Sequence, residues 1–251
     1  MLSLSNIKII LNKRQLKQKM QIQLYHKPNS RSQRIVWLFE ELSLDYDILF
    51  CHSWDDANTC QLQQTHPLAK FPTVKITELE HTFFLSETSA IAEWFSTQQQ
   101  SLGAMNLEGS ALVVYYYWKN FADASFMPNL ALKQIFSQLA LRTPWLIRFI
   151  PRAIQYGFNQ GYLNPLLQQQ MQMINQHLNT QPWVAGSQFT IADILLWFPL
   201  HACTHLNARY THYPAINAYL QQIQDRPAFQ RALSKGQWSD EIFKQYWAEA
   251  N

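Results

Sequence analysis

Charged residues make up only 15% of this 251-residue chain, and it contains just three cysteines and six glycines. Each shortage removes a class of explanation. Cys51, Cys60 and Cys203 form neither a CxxC pair nor a metal-type spacing. Their odd count suits a reducing compartment, so we expect structural thiols in a cytoplasmic protein rather than a disulfide framework. The net charge is +3 and the basic residues are scattered, which leaves no stripe to track phosphates and makes nucleic acid a poor partner. No run approaches the ~20 apolar residues that a membrane-crossing helix needs. What is present is an ordinary globular composition, 47% hydrophobic, long enough for two small domains.

Residues 1–19 stand apart, with a short apolar patch from Ile7 to Leu11 followed by Lys13, Arg14, Lys17 and Lys19. The patch is too short, and wrongly ordered, for a secretion signal. We expect an extension ahead of a working protein that begins at Met20, with an added amphipathic helix as the alternative.

From Gln21 to Tyr25 the residues alternate as a half-buried strand does. Ser30 to Ser32 offer capping hydroxyls, and Ile35, Leu38, Phe39 and Leu42 follow the spacing of one buried helix face. Tyr46 to Cys51 reads as a second strand, completing a βαβ unit that calls for parallel pairing. The following stretch is polar and reads as irregular. Two more strands, Phe71 to Ile76 and Thr82 to Leu85, and a helix from Ser86 to Phe95 complete a βαβ-ββα order. After a Gln-rich connector the rest reads as helical: Leu107 to Leu141, Tyr162 to Leu178, Thr190 to Leu206, Pro214 to Gln224 and a short segment after Pro227. This predicts an α/β thioredoxin-like domain over 20–98, an all-α domain over 105–236 and a tail over 237–251.

Four segments lie in order on this frame: Asn29-Ser30-Arg31-Ser32-Gln33-Arg34, His66-Pro67-Leu68-Ala69-Lys70-Phe71-Pro72, Glu87-Thr88-Ser89-Ala90-Ile91 and Thr190-Ile191-Ala192-Asp193. Together they resemble the glutathione transferase family over Met20 to about Leu233. Tyr117-Trp118 and the stretch Phe121 to Pro128 resemble a serine-type branch of it known from fungi and proteobacteria. The resemblance implies an enzyme that binds glutathione as co-substrate, needs no metal and works as a homodimer. It conjugates the glutathione thiolate to apolar electrophiles, with organic hydroperoxides as a further substrate class. A glutathione-dependent disulfide reductase and a non-catalytic binding module are the alternatives.

The chemistry asked of the site is modest. A free thiol has a pKa of about 8.5, and lowering it by two units takes roughly 2.7 kcal/mol of preference for the thiolate. A charge-assisted hydrogen bond supplies about 1.5–3 kcal/mol and a helix N-terminus about 0.3–1 kcal/mol, so one hydroxyl placed there suffices without a general base. The resemblance puts Ser30 in that role; by pattern alone Ser30 could simply cap the helix, and Ser32 is its rival. The resemblance further implies a cis bond before Pro72, backbone pairing of Phe71 with the tripeptide, and Lys70 at the glycyl carboxylate. It also sets Glu87 and Thr88 at the γ-glutamyl end, where a helix start favours an anion. Candidate walls for the electrophile are Tyr115, Tyr117, Trp118, Phe121 and Met127.

Other signals read as structural. Thr190-x-x-Asp193 resembles a capping box, and His201 with His205 has helical i, i+4 spacing but no third metal ligand in sight. Trp145 to Phe158 mixes Arg148 and Arg152 with large apolar residues, as an interfacial membrane helix would. With Pro151 interrupting it, we expect this segment to pack inside the helical domain.

Overall fold

The computed structural model describes residues 20–53, 56–66, 68–79 and 81–248. The extension expected over 1–19 and Pro67 of the second motif lie outside the described residues. Strand β1 (Gln21–His26) pairs in parallel with β2 (Asp47–Phe50) and antiparallel with β3 (Thr73–Glu78), which pairs antiparallel with β4 (His81–Ser86). The resulting order is β2-β1-β3-β4. Helix α1 (Gln33–Glu41) makes the βαβ crossover and α3 (Thr88–Gln99) follows β4, giving the thioredoxin-like arrangement.

One expectation fails between β2 and β3. The polar stretch is not irregular: Ala57–Thr65 forms a helix, α2. Its N-cap Asp56 accepts from the Thr59 amide across 2.8 Å, while Thr59 and Leu62 supply the buried contacts. A capped helix with so few apolar residues gives almost no periodic signal.

The second half is helical: α4 (Gly109–Asn120), a π-turn (Phe121–Phe126), α5 (Met127–Arg142), α6 (Phe149–Phe158), α7 (Asn164–Leu178), α8 (Ile191–Leu206), α9 (Pro214–Gln224), α10 (Pro227–Lys235) and α11 (Asp240–Ala248). Nearly all of α8 is buried, and the predicted capping box starts it. Asp193 accepts from the Thr190 amide at 2.8 Å and also from the Val184 amide and the Tyr219 hydroxyl, each at 2.9 Å. The cap therefore also ties the entering loop and α9 to the central helix.

Helix α1 was expected to bury one face, and it buries both. Ile35, Val36, Leu38 and Phe39 are fully enclosed, and Trp37 packs edge-on against Phe229 of α10 and Trp197 of α8 at 4.9 and 5.9 Å. Polar side chains lock this contact. Arg226 forks onto Glu41 at 2.6 and 2.8 Å, and Glu40 accepts from Arg231 and Lys235 at 2.8 and 2.6 Å. Arg34, wholly buried, reaches Asp123 at 2.8 Å and the Leu195 carbonyl at 2.9 Å. Pro199 lies four residues beyond Leu195 and has no N–H to give, so Arg34 replaces the missing helical hydrogen bond.

The segment Trp145 to Phe158 does not pack inside the helical domain. Pro151 alone is fully buried there, whereas Trp145 is 77% and Phe149 68% exposed. The stretch supplies the connection after α5 and the whole of α6.

Candidate active site

Pairing registers bring three loops to one end of the sheet. Tyr25 stands opposite Thr73, and Thr73 opposite Ser86. The chain leaving β1 toward Ser30, the Phe71-Pro72 pair entering β3, and Glu87-Thr88 leaving β4 are therefore neighbours. The Phe71-Pro72 bond is cis. A hydroxyl chain pins the loops together. The Thr73 hydroxyl donates to the Lys70 carbonyl at 2.7 Å, Ser86 Oγ lies 2.7 Å from Thr73 Oγ1, and His66 Nε2 lies 3.1 Å from Ser86 Oγ. Lys70 is exposed and Phe71 half-buried.

Glu87 holds the left-handed value φ 71°, a conformation that a side chain adopts at some cost, and it immediately precedes α3. No side chain caps this helix start, and Thr88, its first residue, is buried. The exposed Glu87 side chain and the first amides of α3 thus border the same loop cluster.

Ser30 sits two residues ahead of the N-cap of α1. Its hydroxyl donates to the Lys27 carbonyl at 2.7 Å, lies 2.9 Å from Ser32 Oγ, and accepts from the Ser32 amide at 3.3 Å. Ser32 is fully buried and does not reach the cavity described below; its hydroxyl turns instead to His26 Nδ1 at 2.8 Å. The opposite ring nitrogen, Nε2, lies 2.9 Å from the Gly236 carbonyl. Because a carbonyl only accepts, Nε2 carries the hydrogen. Burial drives the His26 pKa down to about 4, against a partly offsetting pull from the Gly236 bond and a small further push from His52. The ring is neutral and Nδ1 is an acceptor, so the Ser32 hydroxyl, which also lies 3.0 Å from the Lys27 carbonyl, donates to Nδ1 at the shorter distance.

Ser30 opens onto a cavity of about 500 Å³. One wall is the loop from Lys27 to Arg31. A second is the α5 face of Met127, Ala131, Gln134 and Ile135, and the third is α11 with Ile242, Phe243, Tyr246 and Trp247. The lining is mainly apolar, but two buried polar atoms of its walls, Gln134 Oε1 and Trp247 Nε1, have no hydrogen-bond partner among the described residues.

Of the five wall residues expected from sequence, only Met127 lines this cavity. Tyr115 is fully buried with its hydroxyl on Glu93 at 3.0 Å. Trp118 rests on the His177 ring, centroids 4.7 Å apart. Tyr117 and Phe121 line a separate cleft between α4 and α7. Spaced four apart, they share a helix face that looks toward α7, whereas Met127, Ala131, Gln134 and Ile135 follow the next helix along a different face.

The missed wall is α11, which falls in what reads as a tail. Phe243 and Trp247 are buried and spaced four apart, the one signal that could have shown a docked helix. Phe243 packs on Phe198 at 5.4 Å and on His201 at 5.0 Å, while His201 Nε2 sits 3.5 Å from Asp240. The His201/His205 face thus receives α11, and among the described residues no group of three or more His, Cys, Asp or Glu side chains converges as a metal site. His26 was also missed, since a lone histidine after a strand carries no motif. Cys51, close to His26 through its amide, is buried, and that burial raises its thiol to about 11.

Comparison with known proteins agrees with this fold. Residues 30–98 match the family model of the glutathione S-transferase N-terminal domain, and residues 159–227 that of the glutathione S-transferase C-terminal domain. Glutathione S-transferase 3 of Schizosaccharomyces pombe is 30% identical over 215 residues, covering 85% of this chain and 87% of that protein. The disulfide-bond oxidoreductase YfcG of Escherichia coli is 24% identical over 229 residues, covering 88% of this chain and 98% of its own. Among solved structures, a glutathione S-transferase from Actinobacillus pleuropneumoniae superposes with a TM-score of 0.61 at 26% identity, over 86% of this chain and 93% of that one. A transferase family member from Pseudomonas fluorescens, solved with two glutathione bound, gives 0.67 at 20% identity over 84% and 92%. With a thioredoxin-like domain locked through α1 to a helical domain, and matches that span both, this chain belongs to the glutathione S-transferase family.

Proposed function

We propose that this transferase binds glutathione across the three loops at the sheet end and conjugates its thiolate to apolar electrophiles held against α5 and α11. The observation that carries the reading is the half-buried Ser30 hydroxyl on the rim of an apolar cavity. Its oxygen already accepts the Ser32 amide, which leaves its proton for a sulfur anion. In this reading the thiolate takes over the donation now made to the Lys27 carbonyl. The Phe71 backbone pairs with the tripeptide ahead of Pro72, Lys70 meets the glycyl carboxylate, and Glu87 with the Thr88 end of α3 holds the γ-glutamyl ammonium and carboxylate.

Conjugation then proceeds by displacement. The sulfur lone pair forms a bond to the electrophilic carbon and the leaving group departs with its electron pair. Organic hydroperoxides are a further substrate class for the same thiolate. We place the enzyme in the cytoplasm as a homodimer; no described helix is long and apolar enough to cross a membrane.

The E. coli relative named as a disulfide-bond oxidoreductase motivates the second reading, reduction of small disulfides by the same thiolate. Two measurements decide. Calorimetric titration with glutathione tests binding, and no heat of binding would leave a non-catalytic module. Product analysis with an aryl halide and with a small disulfide then separates the activities. The thioether is expected to dominate, and a site that only reduces the disulfide would reject conjugation.

A further inference from the structure

The α5–α6 hairpin carries apolar side chains that the described residues leave exposed. Trp145, Leu146, Ile147, Phe149, Ile154 and Tyr156 are all at least half exposed. Apolar surface of this extent on one projection is uncommon in a monomer and marks a place that meets something. On α6, Phe149, Ile150, Ala153, Ile154 and Tyr156 fall on one broad arc with the exposed Arg152 at its margin. Arg142 stands exposed at the end of α5. Arg148 is occupied differently, donating to the Thr143 and Leu141 carbonyls at 3.1 Å each and so closing the α5 C-terminus.

Charge identifies the occupant. From Ala124 through Ala192 the sequence contains no Asp or Glu. A two-fold contact between copies sets a patch against itself, so it would bring Arg142 and Arg152 against arginines with no acid of the hairpin to meet them. An anionic lipid surface supplies the opposite charge everywhere. Tryptophan and tyrosine settle at headgroup depth, while Ile and Phe enter the acyl boundary. We propose that the tip of the α5–α6 hairpin, residues 139–162, docks this enzyme onto anionic membrane surfaces. The docking does not depend on which reaction the active site performs.

Cosedimentation of the full chain with vesicles tests it, using phosphatidylcholine alone and phosphatidylcholine mixed with phosphatidylserine. Binding is expected to the mixed vesicles, to weaken with added salt, and to be far lower on the neutral ones. Each basic residue near such a surface contributes about 1 kcal/mol, so Arg142→Glu/Arg152→Glu should lower the partition coefficient about ten-fold or more. Trp145→Ser/Phe149→Ser should also lower it, with circular dichroism unchanged in both variants. Failure to bind anionic vesicles overturns the proposal, as does binding indifferent to the charge reversal. A concentration-dependent mass abolished by Trp145→Ser/Phe149→Ser, without vesicle binding, would assign the face to a second copy and overturn it equally.

Discussion

The Ser32 hydroxyl donates to Nδ1 of His26 across 2.8 Å, and this fixes which way the neighbouring serine points its proton. With its own hydrogen committed, Ser32 faces Ser30 as an acceptor only, 2.9 Å away. Ser30's single hydrogen is then shared between the Lys27 carbonyl at 2.7 Å and Ser32 Oγ, with its oxygen polarised by the Ser32 amide. Ser32 thus positions a hydroxyl that it does not replace. One neutral hydrogen bond is worth about 1 kcal/mol, so Ser32→Ala should lower kcat about five-fold. Steady-state kinetics should show the KM for glutathione little changed, because the tripeptide's own contacts are left in place.

The neutral His26 makes acid a structural threat. Its folded pKa of about 4 lies below the usual histidine value near 6.5, so between those limits the unfolded chain holds more protons than the folded one. Stability from this group is complete above pH 6.5 and drains away as the pH falls toward 4, a loss of about 3 kcal/mol at the rate of 1.36 per unit. Urea unfolding of the wild type and His26→Asn at pH 7 and pH 4.5 checks this. The wild type should weaken more on acidification than the variant does.

Gly236 supplies the carbonyl that His26 needs, in a place with no room for a side chain. A Cβ there would collide with Gln33 Oε1 and fall 2.8 Å from its Cδ. The Gln33 amide would have to move, abandoning the Ala232 carbonyl that it holds at 2.6 Å. Gly236→Ala is expected to cost about 1–3 kcal/mol, the range for a buried polar group left unpaired. Denaturant midpoints measure it. Backbone conformation is not the reason, since Gly236 sits at φ −83°, open to any residue.

Arg34, Leu195 and Pro199 form a second interdependent set. Removing the guanidinium in Arg34→Met strands the half-buried Asp123 and the buried Leu195 carbonyl, a loss of about 1–3 kcal/mol for polar groups left unpaired. Pro199→Ala would restore the helical N–H to that carbonyl. In the Arg34→Met background it should recover about 1 kcal/mol, and more than it gains in the wild type. Equal gains in the two backgrounds would sever the link between these residues.

Where sequence reading succeeded, a repeating apolar pattern or an ordered motif stood behind it. The strands, α1 and the buried α8 all have such patterns, and Thr190 with Asp193 announces its own cap. Helix α2 went unseen because a cap, not an apolar face, starts it. Four of the five candidate wall residues stand away from the cavity beside Ser30 for a different reason: the aromatic run Tyr115 to Phe121 shows that a helix is sticky, but not which way each face turns after the π-turn. The exposure of Trp145 to Phe158 is not legible because apolar residues are expected to be buried, and no apolar pattern shows that the other described residues leave them uncovered. His26 was silent because its importance lies in two contacts, with Ser32 and with a glycine 210 positions away.

The direct test of the account is the ionisation of glutathione on the enzyme. Thiolate absorbance followed against pH, in the wild type and in Ser30→Ala, gives the sulfur's pKa in each. The account predicts that bound glutathione in the wild type titrates well below the free thiol's value of about 8.5, and that Ser30→Ala returns it by one to two units with about a 10- to 100-fold fall in conjugation rate. Identical titrations in the two proteins would contradict it.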